Sequence, residues 1–207
     1  MNKGEGSLKE KFERKKIFKT NLYSLEKLSK DNDVPMVLSG VKALDYDNIK
    51  KIYLKHKKIN SLRSNDALYD KSNKYEFIEK GDYFFVEFKN GVLIPGTNKN
   101  ECDDEKNKKI FEIKEKIYDS VVILLEIIEK DFKFLRENFL YILVYNEEKN
   151  SSKSNIKLHV SKKAEENIIK FGLGKFKGYF FKNVYTCTVK EFENKFLKCW
   201  EMNQNKN

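Results

Sequence analysis

Two side chains of opposite charge, Glu87 and Lys89, lie two residues apart in an apolar run, Tyr83–Lys89. The aromatic and β-branched residues of this run, and the Asn-Gly pair that follows it, predict a β-strand. Because strand side chains alternate between faces, Glu87 and Lys89 should project from one face, and Val86 and Phe88 from the other. A rigid strand would then hold a carboxylate beside an amine, where the two could bind a metal ion and orient a water molecule.

A second carboxylate, Asp66, precedes Glu87 by 21 residues and opens another predicted strand, Ala67–Tyr69. Two carboxylates on neighbouring strands can hold Mg²⁺, which prefers oxygen ligands and keeps several waters. Such an ion stabilises charge on phosphoryl oxygens, and an amine beside it stabilises developing negative charge. Asp66, Glu87 and Lys89 are therefore the candidate catalytic residues for phosphodiester hydrolysis, and the Phe88 backbone carbonyl is a further candidate metal ligand.

A basic helix is predicted over residues 47–60, directly before Asp66. Its apolar side chains recur at helical spacing on one face, namely Ile49, Ile52, Tyr53, His56 and Ile59. No acidic residue lies between Asn48 and Asn65. The candidate nucleic-acid-binding residues are the cations of this stretch, Lys50, Lys51, Lys55, Lys57, Lys58 and Arg63. The alternative is that these lysines form the solvated face of a helix that packs on the core.

The chain as a whole is basic. Its 207 residues carry a net charge of +10, most of it in residues 1–60. This excess favours a polyanionic partner such as nucleic acid, and a Lys-rich soluble surface is the alternative. The three cysteines and two histidines are too scattered for a zinc site or a disulfide framework, so we expect a reducing, cytoplasmic environment. No apolar run reaches the roughly 18 residues that span a membrane, and no membrane partner is expected.

The segments around the candidate residues alternate between strands and helices. A meander of three antiparallel strands is predicted over Ala67–Tyr69, Tyr75–Ile78 and Tyr83–Lys89. Apolar spacing then predicts a helix over 107–130, a strand over 139–145, a strand over 179–186 and a last helix over 189–200. Thr188 and Glu191 fit a capping box for that last helix. The predicted fold class is α/β, with a mixed central sheet that contains an antiparallel meander and is flanked by helices.

The length of 207 residues predicts one domain, or one domain with a small appendage. Amphipathic helical spacing near the start of the chain and polar composition near its end set the limits of the predicted α/β core. We predict an N-terminal helical segment over residues 1–44, an α/β core over 45–200 and a disordered tail over 201–207.

This arrangement resembles the PD-(D/E)XK nuclease superfamily, which has the restriction-endonuclease-like fold. The resemblance covers residues 45–145 and depends on Asp66 at a strand start, on Glu87-Phe88-Lys89 and on the helix and strand that follow. It implies that Asp66 and Glu87 bind Mg²⁺ or Mn²⁺ and that Lys89 assists the attacking water.

Several residues leave the resemblance open in detail. Asn65 stands where the family name has Pro, and either Asp70 or Asp82 could replace Asp66 as the metal-binding Asp. Family members often add an acidic residue from the preceding helix, but residues 48–60 hold none. That ligand is then missing, or it comes from one of three earlier residues, Glu26, Glu13 or Glu10. Lys114 and Lys116 lie on the following helix, where family members often place extra site residues.

A second basic and aromatic stretch lies near the C-terminus. The rings of Tyr179, Phe180 and Phe181 neighbour lysines that could contact phosphates while the rings stack on exposed bases, namely Lys175, Lys177 and Lys182. An ordinary strand with basic flanks is the alternative.

Two functions fit these residues. One is a metal-dependent nuclease that acts on DNA or RNA, of a bacterial or phage defence or mobile-element type. The other is a catalytically silent binding protein with a nuclease-like fold, such as an inhibitor, an immunity protein or an anti-CRISPR protein, which binds nucleic acid or a nucleoprotein complex. The missing helix carboxylate favours the second function. A homodimer is compatible with either.

Overall fold

The computed structural model describes residues 18–75, 81–93, 103–150 and 169–205, and of residues 103–107 it describes the backbone only. In chain order the strands are β1 (Leu22–Ser24), β2 (Lys30–Asp31), β3 (Val34–Pro35), β4 (Lys42–Asp45), β5 (Ala67–Asp70), β6 (Tyr83–Lys89), β7 (Phe139–Tyr145) and β8 (Asn183–Thr188). Six of them form one mixed sheet in the order β1-β4-β5-β6-β7-β8, and β2 pairs with β3 in a separate hairpin.

The helices lie between and after these strands. They are α1 (Leu25–Leu28), α2 (Tyr46–Lys57), α3 (Asp103–Ile128), α4 (Phe132–Asn138), α5 (Glu147–Asn150), α6 (Val189–Phe192) and α7 (Lys198–Gln204). The π-helical turn Glu193–Leu197 joins α6 to α7, so α6 and α7 form one continuous helix, called the last helix below. A short 3₁₀ turn covers Gly174–Phe176.

The sheet changes character at β6. The pairs from β1 to β6 are antiparallel, whereas β6, β7 and β8 run parallel. Parallel neighbours need a crossover connection, and α3 supplies the one between β6 and β7. Every residue of β7 is buried, as its continuous apolar run and its central position require.

Helices cover both faces of the sheet. On one face, Ile113 and Ile117 of α3 belong to the same buried cluster as Phe85 and Tyr141. On the other face, Phe192 and Trp200 of the last helix belong to a second cluster, with Phe84, Val86 and Phe88 among its strand residues. The alternation of β6 between these clusters leaves Glu87 on the α3 side.

The predicted α/β class, with a mixed sheet flanked by helices, is confirmed. The strands predicted over 83–89 and 139–145 are also confirmed, and so is the capping box, in which Thr188 and Glu191 exchange hydrogen bonds.

The predicted meander is wrong in one strand. β5 pairs directly with β6, and β4 is the third antiparallel strand, in place of Tyr75–Ile78. Tyr75 is not in a strand, and residues 76–80 lie outside the described part of the chain. The strand expected from Tyr179 begins only at Asn183, because backbone bonds such as Gly178 N–H to the Phe181 carbonyl (2.8 Å) curl the preceding residues into a turn.

Described residues near each end of the chain contact the sheet more closely than expected. The range 1–44, predicted to be helical, contributes β1 and the start of β4 to the central sheet. The last helix continues through Gln204, inside the predicted tail, because the Gln204 side chain accepts a hydrogen bond from the Lys42 N–H (2.9 Å) and donates one to the Lys42 carbonyl. Among the described residues, no helix has the length and apolar character that crossing a membrane requires.

Candidate metal and catalytic site

The pairing of β5 with β6 brings Asp66 and Glu87 together. Ala67 lies opposite Val86, and the same antiparallel register continued by one residue sets Asp66 opposite Glu87. Both carboxylates bind one ammonium group: Lys116 Nζ lies 3.1 Å from Asp66 Oδ1 and 2.7 Å from Glu87 Oε1. The two carboxylates therefore converge on a single cation position.

Glu87 is the most buried member of the site. Its side chain is fully buried, and its Oε1 accepts a hydrogen bond from Lys116 and forms an ion pair with Lys89, whose Nζ lies 2.9 Å away. That short contact confirms that Glu87 and Lys89 share one face of β6. Within the described residues, the buried Oε2 of Glu87 has no hydrogen-bond partner. Since an unsatisfied buried carboxylate oxygen is costly, this atom is available for a further cation or donor.

Asp66 is held against β6 by its second oxygen. Its Oδ2 accepts a hydrogen bond from the Phe88 N–H at 2.7 Å, so Phe88 contributes to the site through its backbone. Burial, followed by the neighbouring charge of Glu87, raises the pKa of Asp66 to about 7, against the opposing effects of Lys116, the Phe88 N–H and Lys89. Near neutral pH the Asp66 carboxyl is therefore only partly ionised.

Lys116 projects from α3 between the two carboxylates, and only 17% of its side chain is exposed. Burial lowers the pKa of Lys116, but the charges of Glu87 and Asp66 outweigh burial and raise that pKa above its ordinary value. The sequence interpretation mentioned Lys116, with Lys114, only as a position where an extra site residue could lie. A signal was present, because Lys116 lies three residues after Ile113 and directly before Ile117, on the edge of the helix face that is buried against the sheet.

Tyr141, on β7, also lies within the electrostatic reach of the carboxylates. Burial, followed by the charges of Glu87 and Asp66, raises the pKa of Tyr141. Its hydroxyl is buried and has no hydrogen-bond partner among the described residues. The site thus holds the carboxylates of Asp66 and Glu87 and the neutral phenol of Tyr141, together with the ammonium groups of Lys116 and Lys89.

A cavity of about 550 Å³ opens onto this site, bordered by Asp66, Phe88 and Lys89. Asp47 borders the same cavity. It lies in the first turn of α2 and accepts hydrogen bonds from Lys50 Nζ (2.8 Å) and from Ser64 Oγ. Although burial raises the pKa of Asp47, these two bonds and the charges of Lys50 and Lys116 together outweigh burial and lower that pKa.

Asp47 is an acidic residue of α2 that the sequence interpretation missed. Only residues 48–60 were considered as the source of a helix carboxylate, although the predicted helix already included Asp47, and α2 begins one residue earlier still, at Tyr46. The N-cap Asp45, whose side chain accepts from the Asn48 N–H, marks this earlier start and was the available signal. Glu26 is exposed and does not border the cavity, and Glu10 and Glu13 lie outside the described residues.

The two alternatives to Asp66 lie at the far end of the strands. Asp70 is opposite Tyr83, four residues along β6 from Glu87, which is about 13 Å at the rise of a strand. Its carboxylate caps the following turn by accepting from the N–H groups of Ser72 and Tyr75. Asp82 forms ion pairs with lysines. Neither can share a cation with Glu87.

Half of the predicted nucleic-acid-binding cations are already paired with acidic side chains. Lys50 is only 15% exposed and pairs with Asp47 at 2.8 Å, Lys57 pairs with Glu126, and the Arg63 guanidinium lies 3.1 Å from Glu115. The other three predicted cations, Lys51, Lys55 and Lys58, are exposed and form no ion pair with a described residue. Lys51 borders the cavity.

The predicted apolar face of the basic helix is only partly correct. Ile49 and Tyr53 are buried, whereas Ile52, His56 and Ile59 are exposed, and Ile59 lies beyond the end of α2. The buried stripe of α2 is therefore narrower than its apolar composition indicates.

Comparison of the chain with protein-family models, with curated proteins and with solved structures gave no match. The described residues contain no group of three or more His, Cys, Asp or Glu side chains that could hold a metal. Asp66 and Glu87 alone fit an ion that takes few protein ligands and keeps its waters, as Mg²⁺ does. The unpartnered Oε2 of Glu87 supports this fit.

Proposed function

We propose that this protein is a metal-dependent phosphodiesterase that cleaves nucleic acid, built on a restriction-endonuclease-like fold. The observation that carries the proposal is the convergence of the Asp66 and Glu87 carboxylates on one cation position, with Lys89 beside them. An antiparallel run of four strands that ends at β6, a crossover helix and two strands parallel to β6 support the fold assignment.

Asp66, Glu87 and the Phe88 carbonyl would hold Mg²⁺ or Mn²⁺ in this site. A bound ion would stabilise negative charge on the scissile phosphate and make a water molecule more acidic.

The chain's own residues prepare the site. Lys116 neutralises the repulsion between Asp66 and Glu87, and the Phe88 N–H fixes the orientation of Asp66. Lys89 is more exposed than Lys116 and borders the cavity, so its ammonium can donate to a phosphate oxygen and stabilise charge that develops there.

The border of the cavity suits a phosphate together with a divalent cation. Its lysines can contact phosphate oxygens, and they are Lys27, Lys30, Lys51, Lys89 and Lys109. Its carboxylates favour a cation, and they are Asp31, Asp45, Asp47, Asp66 and Glu112. A nucleic-acid backbone with a bound metal ion supplies phosphates for the lysines and a cation for the carboxylates.

Cleavage of labelled DNA and RNA, single-stranded and duplex, tests the proposal. We expect cleavage with Mg²⁺ or Mn²⁺ and none in EDTA, and we expect Glu87→Gln to lose at least about 100-fold in rate. Asp82→Asn is the matched control, since Asp82 lies at the far end of β6. A folded Glu87→Gln protein that cuts at the wild-type rate would contradict the proposal.

One observation favours the second function, a catalytically silent binding protein of the inhibitor, immunity or anti-defence type. The Lys116 ammonium already lies where a metal ion would lie between the carboxylates. If it stays there permanently, the wild-type protein will bind no Mn²⁺ in calorimetry and Lys116→Ala will bind it. Mn²⁺ binding by the wild-type protein would exclude this second function.

A further inference from the structure

A cluster of aromatic rings lies on the opposite side of α3 from the candidate site. We call it the aromatic platform, and it consists of Tyr118, Phe132, Phe176, Tyr179 and Phe180. Phe180 is its centre, because the Phe180 ring lies within 6 Å of each of the others: 4.4 Å from Tyr179, 5.4 Å from Tyr118, 5.5 Å from Phe132 and 5.9 Å from Phe176.

The inner rings of the aromatic platform are buried, and the outer ones face solvent. Phe176 and Phe180 are buried, whereas Tyr179 is 56% exposed, Phe132 43% and Tyr118 38%. Phe132 stacks on Phe180 with 16° between the ring planes. The exposed rings therefore pack on buried rings that restrict their motion. This restriction lowers the entropic cost of binding a flat ligand.

Basic side chains surround these rings. Lys175 Nζ lies 4.9 Å from the centre of the Phe176 ring and 5.5 Å from that of Tyr118. Arg136 Nη1 donates to the Tyr179 carbonyl at 3.4 Å, and Lys177 is exposed nearby in the chain. The acidic residues of α4 are engaged elsewhere, since Asp131 caps the helix and Glu137 lies 4.0 Å from Lys133. The charge at the edge of the platform favours an anion.

The aromatic platform and the candidate site share α3. Tyr118 follows Lys116 by two residues, which is about 200° around a helix. Lys116 therefore reaches the carboxylates on the sheet side while Tyr118 contacts Phe176 and Phe180 on another side. A helix is about 10–12 Å across with its side chains, so one extended strand of nucleic acid can contact both surfaces.

We propose that the aromatic platform binds the unpaired bases of single-stranded nucleic acid. The inference rests on the proposed function, because it names the strand state of that substrate. Bases stack on exposed aromatic rings with a gain on the order of tenfold in affinity per base, while lysine and arginine contact the phosphates. A duplex keeps its base faces inside the stack, so it cannot use these rings.

Fluorescence anisotropy with a labelled oligothymidylate in EDTA tests the platform without cleavage. We expect tighter binding of the single strand than of a duplex of equal length, and affinity about tenfold weaker in Tyr179→Ala and in Phe132→Ala. Tyr179→Phe should retain wild-type affinity because it keeps the ring. Phe111→Ala is the matched control, since Phe111 is an exposed ring on α3 outside the platform. Equal affinity for single strand and duplex, or unchanged affinity in both alanine variants, would overturn the inference.

The same variants separate this inference from the proposed function. Glu87→Gln should bind the single strand as the wild-type protein does and should fail to cut it in Mg²⁺. Single-strand binding through Tyr179 without cleavage by the wild-type protein would contradict the proposed function and support the platform. Sedimentation of the alanine variants gives a further outcome: loss of a dimer with unchanged oligonucleotide affinity would assign the rings to self-association and overturn the platform.

Discussion

The ammonium of Lys116 lies 2.7 Å from Oε1 of Glu87, a carboxylate with no solvent exposure and with its other oxygen unpartnered among the described residues. This contact joins the crossover helix α3 to the central strand β6. It places the Lys116 ammonium where a metal ion would lie in the proposed function, so Lys116 stabilises the metal-free carboxylates and must move aside when a metal ion binds. The behaviour of this pair therefore decides between an active metal site and a silent one.

Replacing Lys116 with Met should destabilise the fold, because it leaves the buried Glu87 charge with only Lys89 as a cationic partner. Loss of one partner of a buried ion pair costs about 3–5 kcal/mol. Urea denaturation at neutral pH measures this loss, and the double variant Lys116→Met with Glu87→Gln should recover part of it. Lys55→Met, at an exposed lysine, is the control. A Lys116→Met protein as stable as the control would contradict a stabilising role for the Lys116–Glu87 ion pair.

The stability of Asp66→Asn should depend on pH. The pKa of Asp66 is raised to about 7 in the folded protein, so the folded state holds more protons than the unfolded state between about pH 4 and pH 7. The wild-type protein therefore loses stability from this group as pH rises through that window, and Asp66→Asn does not. Relative to the wild type, Asp66→Asn should gain up to ~4 kcal/mol between pH 4 and pH 8.

Asp82→Asn is the control of opposite sign. Burial raises the pKa of Asp82, but Lys182 and Lys71 outweigh burial and lower that pKa below its ordinary value. The stability that this carboxylate contributes is present above its unfolded pKa and is lost in acid. Asp82→Asn should therefore be less stable than the wild type by a constant amount across neutral pH. Urea denaturation at several pH values checks both variants, and a flat difference for Asp66→Asn would contradict the raised pKa.

Mn²⁺ affinity should rise with pH if Asp66 is a ligand. A carboxyl with a pKa of about 7 must lose its proton before it binds a metal ion. Between pH 6 and pH 8 the ionised fraction rises about tenfold, and the association constant should rise by the same factor. Calorimetry in buffers of different ionisation enthalpy measures the affinity and the released proton together. An affinity that does not change with pH would remove Asp66 from the ligand set.

Lys89→Met should separate chemistry from metal binding. Lys89 contacts Glu87 at 2.9 Å and borders the cavity, so its ammonium can stabilise charge on the phosphate without being a ligand. Loss of such a donor costs about 10²–10³ in rate. We expect this loss in single-turnover cleavage, with Mn²⁺ affinity lowered by less than about tenfold. Lys51→Met, at another lysine that borders the cavity, should retain most of the cleavage rate.

Local patterns in the sequence determined the parts of this protein that depend on backbone periodicity. Alternation along β6 placed Glu87 and Lys89 on one face, because successive strand residues point to opposite sides. Thr188 and Glu191 marked the start of the last helix for an equally local reason, since a capping box closes within four residues. The apolar run of β7 required burial wherever the strand lay in the sheet.

Only the tertiary structure decided which distant groups meet. Lys116 and Glu87 are 29 residues apart in the chain, and their contact depends on how α3 crosses the sheet. The register of β5 on β6 placed Asp66, and not Asp70, opposite Glu87, because the two aspartates flank opposite ends of the paired segment. Asp47 borders the cavity because of where α2 packs against the sheet, which the helical spacing of α2 does not specify. Helix crossing and strand register are set by packing between segments, and no local sequence pattern encodes the free energy of that packing.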